Sequence, residues 1–553
     1  MKFSHTTRQS NIEHMKQVFF DFVVIGGGIT GAAVARDAAL RGFSVALVEK
    51  GDFGSGTSSK SARMVHGGFR YLEQYQFGLV MSACSERYKL LNIASPLVRP
   101  AQFIFPVYRG SKNGLGKINL GMWLYDLLAF FRNVRRHKVL SPEDTIFKEP
   151  ALSCSSLDGA ISYYDGLADD ARLTLATIIA GQRAGAHIAN YLEVQSVHKA
   201  DGLVAGVGVR DHITGEEFNI QARTVINATG VWVDELRKID QPNVDSIVRS
   251  NRGSHIVVSR EKVPINDVIV FISSDDQRGM YIVPWGNTCV VGTTDVDHIE
   301  GFDDVGASRQ EVLSMLDSVN ETFPEARLEE SDVISTFAGL RPLLGTDDGD
   351  AYSASRDHEI MESESGLISI TGGKLTTHRK MAEDVMSYAM KKLSRNYGIS
   401  PRSNTRSDCV PLFDNPSDPK ALIASLVTER PDLDQDIIKH LVETYNSNAN
   451  TVLGFIDNDT QMESRIHPDL PYIFAEIPYI IHYEMAMTLS DCLIRRTHII
   501  HEVKTQGVEV APEVAKHMAK YLDWDAFEVK RQIEEYVREV ELSRSFQQSP
   551  TND

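Results

Sequence analysis

Cysteine is scarce in this chain: five residues in 553, at Cys84, Cys154, Cys289, Cys409 and Cys492, with no CxxC pair. That spacing disfavours a zinc or iron–sulfur site, so no metal is expected, and five scattered thiols fit a reducing cytoplasm better than a disulfide framework. Long apolar runs are also missing. Nothing approaches the roughly eighteen consecutive apolar residues of a membrane span. The first twenty residues mix His, Thr, Arg, Gln and Glu, so a secretory signal is not expected either. Positive charge is in deficit, with 57 Lys and Arg against 75 Asp and Glu and a formal net charge of -18. A nucleic-acid partner, which needs a basic face, is therefore not expected. Indiscriminate attraction to anionic membranes is disfavoured too, although a local basic patch can still act. Internal repeats and low-complexity tracts are absent. What remains is a globular protein long enough for about three or four domains and a substantial core.

The stretch VVIGGGITGAAVARDAALRGFSVALVEK, Val23 to Lys50, reads as strand, glycine turn, helix and second strand. Gly26 makes the tight turn, Gly28 lets a pyrophosphate approach the backbone, and Gly31 lets helix and strand pack closely. Glu49 then accepts from ribose hydroxyls, and the helix N-terminus favours negative charge. This predicts dinucleotide binding and leaves NAD or FAD open. TVINATGVWVDEL, from Thr224, is a buried strand ending in Ala228-Thr229-Gly230. Paired with the first motif, a distant ATG of this kind favours FAD.

Residues 1–18 read as a polar, frayed leader and 19–400 as the cofactor and substrate region. Its cofactor segments fall at about 20–75, 165–235 and 335–395. The Gly- and Ser-rich stretch from Gly51 to Glu73 is too irregular for a regular element and too patterned for a linker. From Tyr163 the pattern reads as a loop, a helix over about 170–184 and a strand near 187–191. Residues 240–335 alternate as an antiparallel sheet lying over the cofactor region. Residues 401–420 are Pro-, Ser-, Asn- and Asp-rich and read as a linker; 421–545 read as helices and 546–553 as a tail. The expected fold is α/β plus α: a two-dinucleotide-type Rossmann-like FAD domain, an antiparallel substrate layer and an all-α C-terminal domain.

The motifs GGGITGAAVARDAALRG, TSSKSARMVHGGFRYLE, DDARLTL, NATGVWVDEL, GSHIVV, VPWGNTCVVGTTD, FAGLRPLL, ISITGGKLTTHRKMAED and MAMTLSDCLIRRT occur in this order over roughly 20–545. Together they resemble the FAD-dependent, respiratory glycerol-3-phosphate dehydrogenases. The resemblance implies FAD as cofactor, oxidation of glycerol 3-phosphate to dihydroxyacetone phosphate, and a quinone as electron acceptor. It also implies peripheral attachment on the cytoplasmic side of the membrane, and a homodimer is a further expectation. Many members carry Lys where this chain has Arg63, which replaces a point charge by a planar fork. The insertion carried by oxygen-reducing oxidases of the family is not seen.

Oxidising a secondary alcohol with flavin needs a proton acceptor, cations for the phosphate and positive charge near the reduced ring. The family's substrate residues map onto Arg70, Tyr71, His255, Arg341, Arg356 and Lys374. His255 is the expected base on intrinsic pKa, with His66 as rival, and Arg341 is expected near the reacting carbon. Arg70, Tyr71, Arg356 and Lys374 are expected to bind substrate, guanidinium forks suiting a phosphate. Cofactor contacts are expected from Gly26, Gly28, Gly31, Glu49, Thr57, Ser58, Ser59, Arg63, His66, Ala228, Gly230, Gly372, Gly373, Lys374, Leu375 and Thr376. Hydroxyls of Thr57, Ser58 and Ser59 suit the pyrophosphate, and Lys374 would bring charge and a helix dipole to the flavin pyrimidine.

KINLGMWLYDLLAFFRNVRRHK, 117–138, puts Asn119, Asp126 and Asn133 on one helical face. Aromatic and leucine residues cover the rest, with Arg132, Arg135, Arg136, His137 and Lys138 as a basic end. Two readings stand level: an ordinary buried helix, and an interfacial helix beside anionic headgroups. Three alternative functions stay in view. One is a flavin amine oxidase of the D-amino-acid oxidase kind, which needs no phosphate cations. Another is a non-catalytic flavin sensor. The third is an NAD-linked dehydrogenase, disfavoured by the TSSKSARMVHGG segment and the ATG.

Overall fold

Strand Phe19–Ile25 is buried on both faces, which demands a layer on each side. Its side chains alternate: Phe22 and Val24 meet helices, while Val23 and Ile25 meet a β-hairpin layer. The computed structural model describes residues 2–273, 275, 278–298, 301–345, 357–414 and 417–548. Around that strand, Val45–Val48 and Glu217–Asn227 pair in parallel, followed outward by His187–Ala189 and Ile368–Gly372. Ile25 lies opposite both Val48 and Asn227, so three carboxyl ends finish level at the position where such sheets bind ligands. Helices Ile29–Leu40, Asp170–Arg183 and His378–Tyr397 cover one face. The hairpin Leu192–Ala200 and Leu203–Asp211 extends the sheet beside the first half of Glu217–Asn227.

The second sheet is antiparallel except where Val268–Ile272 runs parallel to Val98–Tyr108. Val248–Ser259 lies between Thr288–Gly292 and Val333–Leu344, placing His255 opposite Gly292 and Phe337, and Asn251 opposite Arg341. This layer is larger than the 240–335 reading. Val98–Tyr108 and Leu157–Ala168 also belong to it, so Tyr163–Ala168 is strand and not loop. Asp158, Gly159, Asp165 and Gly166 break the apolar pattern there, and strand pairing overrides the local preference.

The N-terminal leader is not frayed. His5–Gln17 is a helix capped by Ser4, with Phe3, Ile12 and Met15 buried and Arg8 forked onto Asp211. Residues 401–414 are irregular but strapped down: Arg36 donates to the Ser407 and Val410 carbonyls, and Leu412 and Phe413 are buried.

Beyond Asp418 the chain is helical and has its own apolar core, with Ile437, Ile438, Leu441, Val442 and Tyr445 on one face of Gln435–Tyr445. Cys84, Cys289 and Cys492 are buried, Cys154 and Cys409 exposed. No described helix is long and apolar enough to cross a membrane.

Candidate active site

A cavity of about 410 Å³ is lined by residues of both sheets. At one end lies the glycine turn. A Cβ on Gly31 would sit 1.9 Å from the Gly26 carbonyl oxygen, and one on Gly26, at φ +106°, would sit 2.7 Å from the Ala228 oxygen. Only glycine permits this approach of strand, helix and the ATG turn. Glu49 accepts from the Gly27 amide at 2.5 Å and from the Gly51 amide at 2.8 Å, which fixes its carboxylate at the cavity wall. Burial lifts that carboxyl above its usual range, against the pull of the two amides. Gly28, Glu49, Ala228, Gly230, Gly372, Gly373, Lys374, Leu375 and Thr376 all line the cavity. A turn without side chains, a helix N-terminus and a ribose acceptor at one wall fit FAD.

Thr57 and Ser58 line the cavity, and their hydroxyls also take protein partners. The Thr57 hydroxyl donates to the Leu340 carbonyl at 2.6 Å, and Ser58 Oγ accepts from the Ile29 amide at 2.9 Å. These hydroxyls tie the 51–60 loop to its neighbours, the second by capping the dinucleotide helix. Ser59 lines a neighbouring cavity instead. Arg63 is buried with left-handed backbone, stacks over Trp285 at 4.2 Å and acts electrostatically on Asp169, Asp170 and Glu502. It faces the C-terminal helices and does not line the cofactor cavity, so that contact is corrected: the nearby carboxylates and the Trp285 face attract a guanidinium. Thr376 Oγ1 accepts from the His66 amide at 3.2 Å, joining two turns of the wall. Arg356 lies outside the described residues.

The same cavity is lined by His66, Arg70, Tyr71, His255, Arg341 and Lys374. Tyr71 is buried, with Lys374 Nζ 3.5 Å from its ring centroid and the Arg70 guanidinium carbon at 5.2 Å. Each cation lies over this electron-rich ring at the cavity. The 69–72 turn requires Gly68 at φ +78°, where a Cβ would strike the Tyr71 ring at 2.3 Å. Lys374 follows Gly372 and Gly373, both left-handed, and precedes helix His378–Tyr397.

Arg341 donates to Asn251 Oδ1 at 2.6 Å, Thr293 Oγ1 at 2.8 Å and the Thr294 carbonyl at 3.2 Å, with Asp295 at 3.5 Å. Its fork is thereby oriented before any substrate arrives. His255 stacks on Phe337 at 4.7 Å, and neither ring nitrogen has a hydrogen-bond partner among the described residues. Burial first, then Arg341 and Arg63, lower its pKa to about 3. The ring is thereby held in the neutral form, with a nitrogen lone pair open to a hydrogen bond. Asn251, Thr293, Asp295, Tyr281 and Phe337 were missed from sequence. Asn251 lies opposite Arg341 in the strand register; the Thr-Thr-Asp run follows strand Thr288–Gly292, and the two aromatics look like ordinary sheet residues.

The 117–138 segment turns its polar face inward. Helix Leu115–Leu128 buries Asp126, which accepts from Asn133 and pairs with His137 at 2.7 Å; His137 also meets Asn119 at 3.0 Å. His137 therefore does not belong to the basic run. Leu120 is 71 % exposed, Phe130 64 %, and Trp123, Leu127 and Phe131 are exposed with them.

A flavin cradle joined to a cationic pocket defines an oxidoreductase that acts on an anionic substrate. The FAD dependent oxidoreductase family model matches residues 21–379, and the C-terminal domain of alpha-glycerophosphate oxidase matches 363–529. The aerobic glycerol-3-phosphate dehydrogenase of Staphylococcus aureus (strain MRSA252) is 33% identical over 542 residues, 96% of each chain. The crystal structure of glycerol-3-phosphate dehydrogenase from Bacillus halodurans, complexed with FAD, superposes with TM-score 0.82 at 28% identity, covering 98% of each chain. Glycine oxidase from Geobacillus kaustophilus, at 19% identity and TM-score 0.53, shares the fold over 72% of this chain and 99% of its own. The chain belongs to the FAD-dependent oxidoreductases and, within them, to the aerobic glycerol-3-phosphate dehydrogenase family.

Proposed function

We propose that the protein oxidises sn-glycerol 3-phosphate to dihydroxyacetone phosphate and passes the electrons to a quinone. The observation that carries this reading is that Arg70 and Lys374 on Tyr71, the pre-oriented Arg341 and a neutral His255 all line the cavity that holds the dinucleotide turn. Lys374 and Arg70 bind the phosphate, assisted by Arg356 from its family position. Arg341 orients the C2 carbinol. His255 takes the hydroxyl proton as the C2–H bond breaks, leaving the ketone. Bound FAD supplies the hydride acceptor at N5. Lys374, at the cavity wall, offsets the negative charge that reduction brings. An amine oxidase has no use for so many phosphate-binding cations.

The exposed Leu120, Trp123, Leu127, Phe130 and Phe131, beside Arg132, Arg135, Arg136 and Lys138, support peripheral attachment to anionic lipid on the cytoplasmic membrane face. The inner side of the same helix adjoins the substrate turn, Phe69 packing edge-on against the buried Tyr125 at 5.9 Å. A quinone dissolved in the leaflet thereby meets the protein close to its cavity.

The test is reduction of a soluble quinone analogue by the FAD-loaded protein, with glycerol 3-phosphate, glycerol and glycine compared. Turnover with glycerol 3-phosphate alone is expected; turnover with glycine in its place would overturn the reading. A Leu120→Ser, Phe130→Ser variant is expected to keep that turnover and to lose sedimentation with phosphatidylglycerol vesicles.

A further inference from the structure

We infer that Arg495 and Arg496 of the C-terminal helical region are positioning residues for the FAD cradle, acting through Asp52. Asp52 is fully buried at the start of the 51–60 loop. It accepts from Arg495 Nε at 2.5 Å and from both Nη atoms of Arg496, Nη2 at 3.0 Å. Two neighbouring side chains reach one acceptor because the chain makes a π-helical turn over Asp491–Arg496, with the Thr497 amide bonded five residues back to Cys492 at 3.0 Å. In an α-helix consecutive residues are turned about 100° apart; the wider π turn places more residues per revolution and narrows that angle. Asp491 supports the arrangement, accepting from Arg495 Nη2 at 2.6 Å and from the Tyr191 hydroxyl at 2.7 Å.

The loop so anchored shapes the cradle at three points. The Gly51 amide holds Glu49, the Gly54 amide donates to the Gly27 carbonyl at 3.1 Å, and Ser58 caps Ile29. Neither arginine lines the cofactor cavity. Their effect on FAD therefore runs through the position of the loop backbone. The C-terminal region is thereby part of the cofactor site, and FAD binding and the seating of the π turn favour each other reciprocally. The inference rests on the FAD cradle and is independent of which substrate is oxidised.

The test compares Arg496→Met, Arg496→Lys and Glu484→Gln. The Glu484 carboxylate holds Arg172 by two 2.6 Å bonds, an equally buried tie to the C-terminal region, and Gln keeps the Glu484 backbone carbonyl that accepts from Arg496 Nη2 at 2.9 Å. Deflavinated protein is titrated with FAD and followed by flavin fluorescence. Arg496→Met is expected to raise the FAD dissociation constant about tenfold or more, as loss of charged hydrogen bonds commonly does. Its kcat should return at saturating FAD with KM for substrate unchanged, and Arg496→Lys should recover part of the affinity. Glu484→Gln should lower Tm and leave FAD affinity unchanged. Unaltered FAD affinity in Arg496→Met, or an equal loss in Glu484→Gln, would overturn the inference. Hydrogen exchange on the wild-type protein decides the matter even where a variant fails to fold. FAD is expected to slow exchange across 489–498, and protection confined to cavity-lining segments would overturn it.

Discussion

Replacing His255 by Asn separates the chemistry of this site from its binding. The imidazole sits between Gly292 and Phe337, both its nitrogens lack partners among the described residues, and its stack on Phe337 is 4.7 Å between centroids. Losing a positioned general base costs roughly 10²–10⁴ in rate, or ~3–5 kcal/mol of barrier. Losing the stack costs only about 0.5–1.5 kcal/mol of stability, and part of that returns because a buried unpartnered ring is removed. Arg70 and Lys374, which the proposal assigns to the phosphate, keep their places on Tyr71 in this variant, so KM should change by no more than a few-fold. The assay is anaerobic rapid mixing of the FAD-loaded variant with saturating glycerol 3-phosphate, following loss of oxidised flavin absorbance. Bleaching slowed at least about a hundredfold, with normal FAD content and partial rescue by added imidazole, is expected. A slowing of less than about tenfold would refute the assignment and move the base role to another group, His66 first.

Other outcomes follow from the same geometry. Tyr71→Leu removes the ring holding Lys374 and Arg70; at about 2 kcal/mol for a desolvated cation–π contact, kcat/KM should fall roughly 30-fold with flavin content unchanged by absorbance. Gly31→Ala forces a Cβ to within 1.9 Å of the Gly26 oxygen, so the purified variant should carry no flavin. His255, with its pKa lowered to about 3, is already in its accepting form throughout the physiological range. The kcat/KM profile should therefore show no histidine ionisation between about pH 5 and 8, only the substrate phosphate near pH 6. Burial also lowers His378 to about 4. From about pH 6.5 downward the unfolded chain takes up a proton that the folded chain refuses, so stability falls with pH until about 4. Denaturant titrations should show a slope near 1.4 kcal/mol per pH unit from that residue, removed in His378→Asn.

Much of this was legible in the sequence because local constraints carried it. The glycines at 26, 28 and 31 are set by backbone sterics and Glu49 by the Gly27 and Gly51 amides, constraints that act within or next to one βαβ unit. Gly372-Gly373-Lys374 is likewise a local turn. The protein partners of the Thr57 and Ser58 hydroxyls, the Leu340 carbonyl and the Ile29 amide, were not legible because they are fixed by tertiary contact. Arg63 turns toward the C-terminal helices for the same reason, drawn by Asp169 and Glu502 from distant segments. Helix Leu115–Leu128 has the expected two faces, but its orientation was invisible. Asn119, Asp126 and Asn133 become the inner face because His137 meets the first two and Arg87 donates to Asn133. Strand Leu157–Ala168 was hidden by its own glycines and aspartates and exists through its ladder with Val98–Tyr108.

The most direct test of the central claim is a single-turnover isotope experiment. The FAD-loaded protein is mixed anaerobically with glycerol 3-phosphate carrying hydrogen or deuterium at C2, and the oxidised flavin bands are followed. Bleaching by both, slower for the deuterated substrate by a primary isotope effect and reversed by a quinone analogue, is the predicted result. Flavin that stays oxidised with glycerol 3-phosphate, or that bleaches at the same rate with either isotope while glycine also reduces it, would contradict the account.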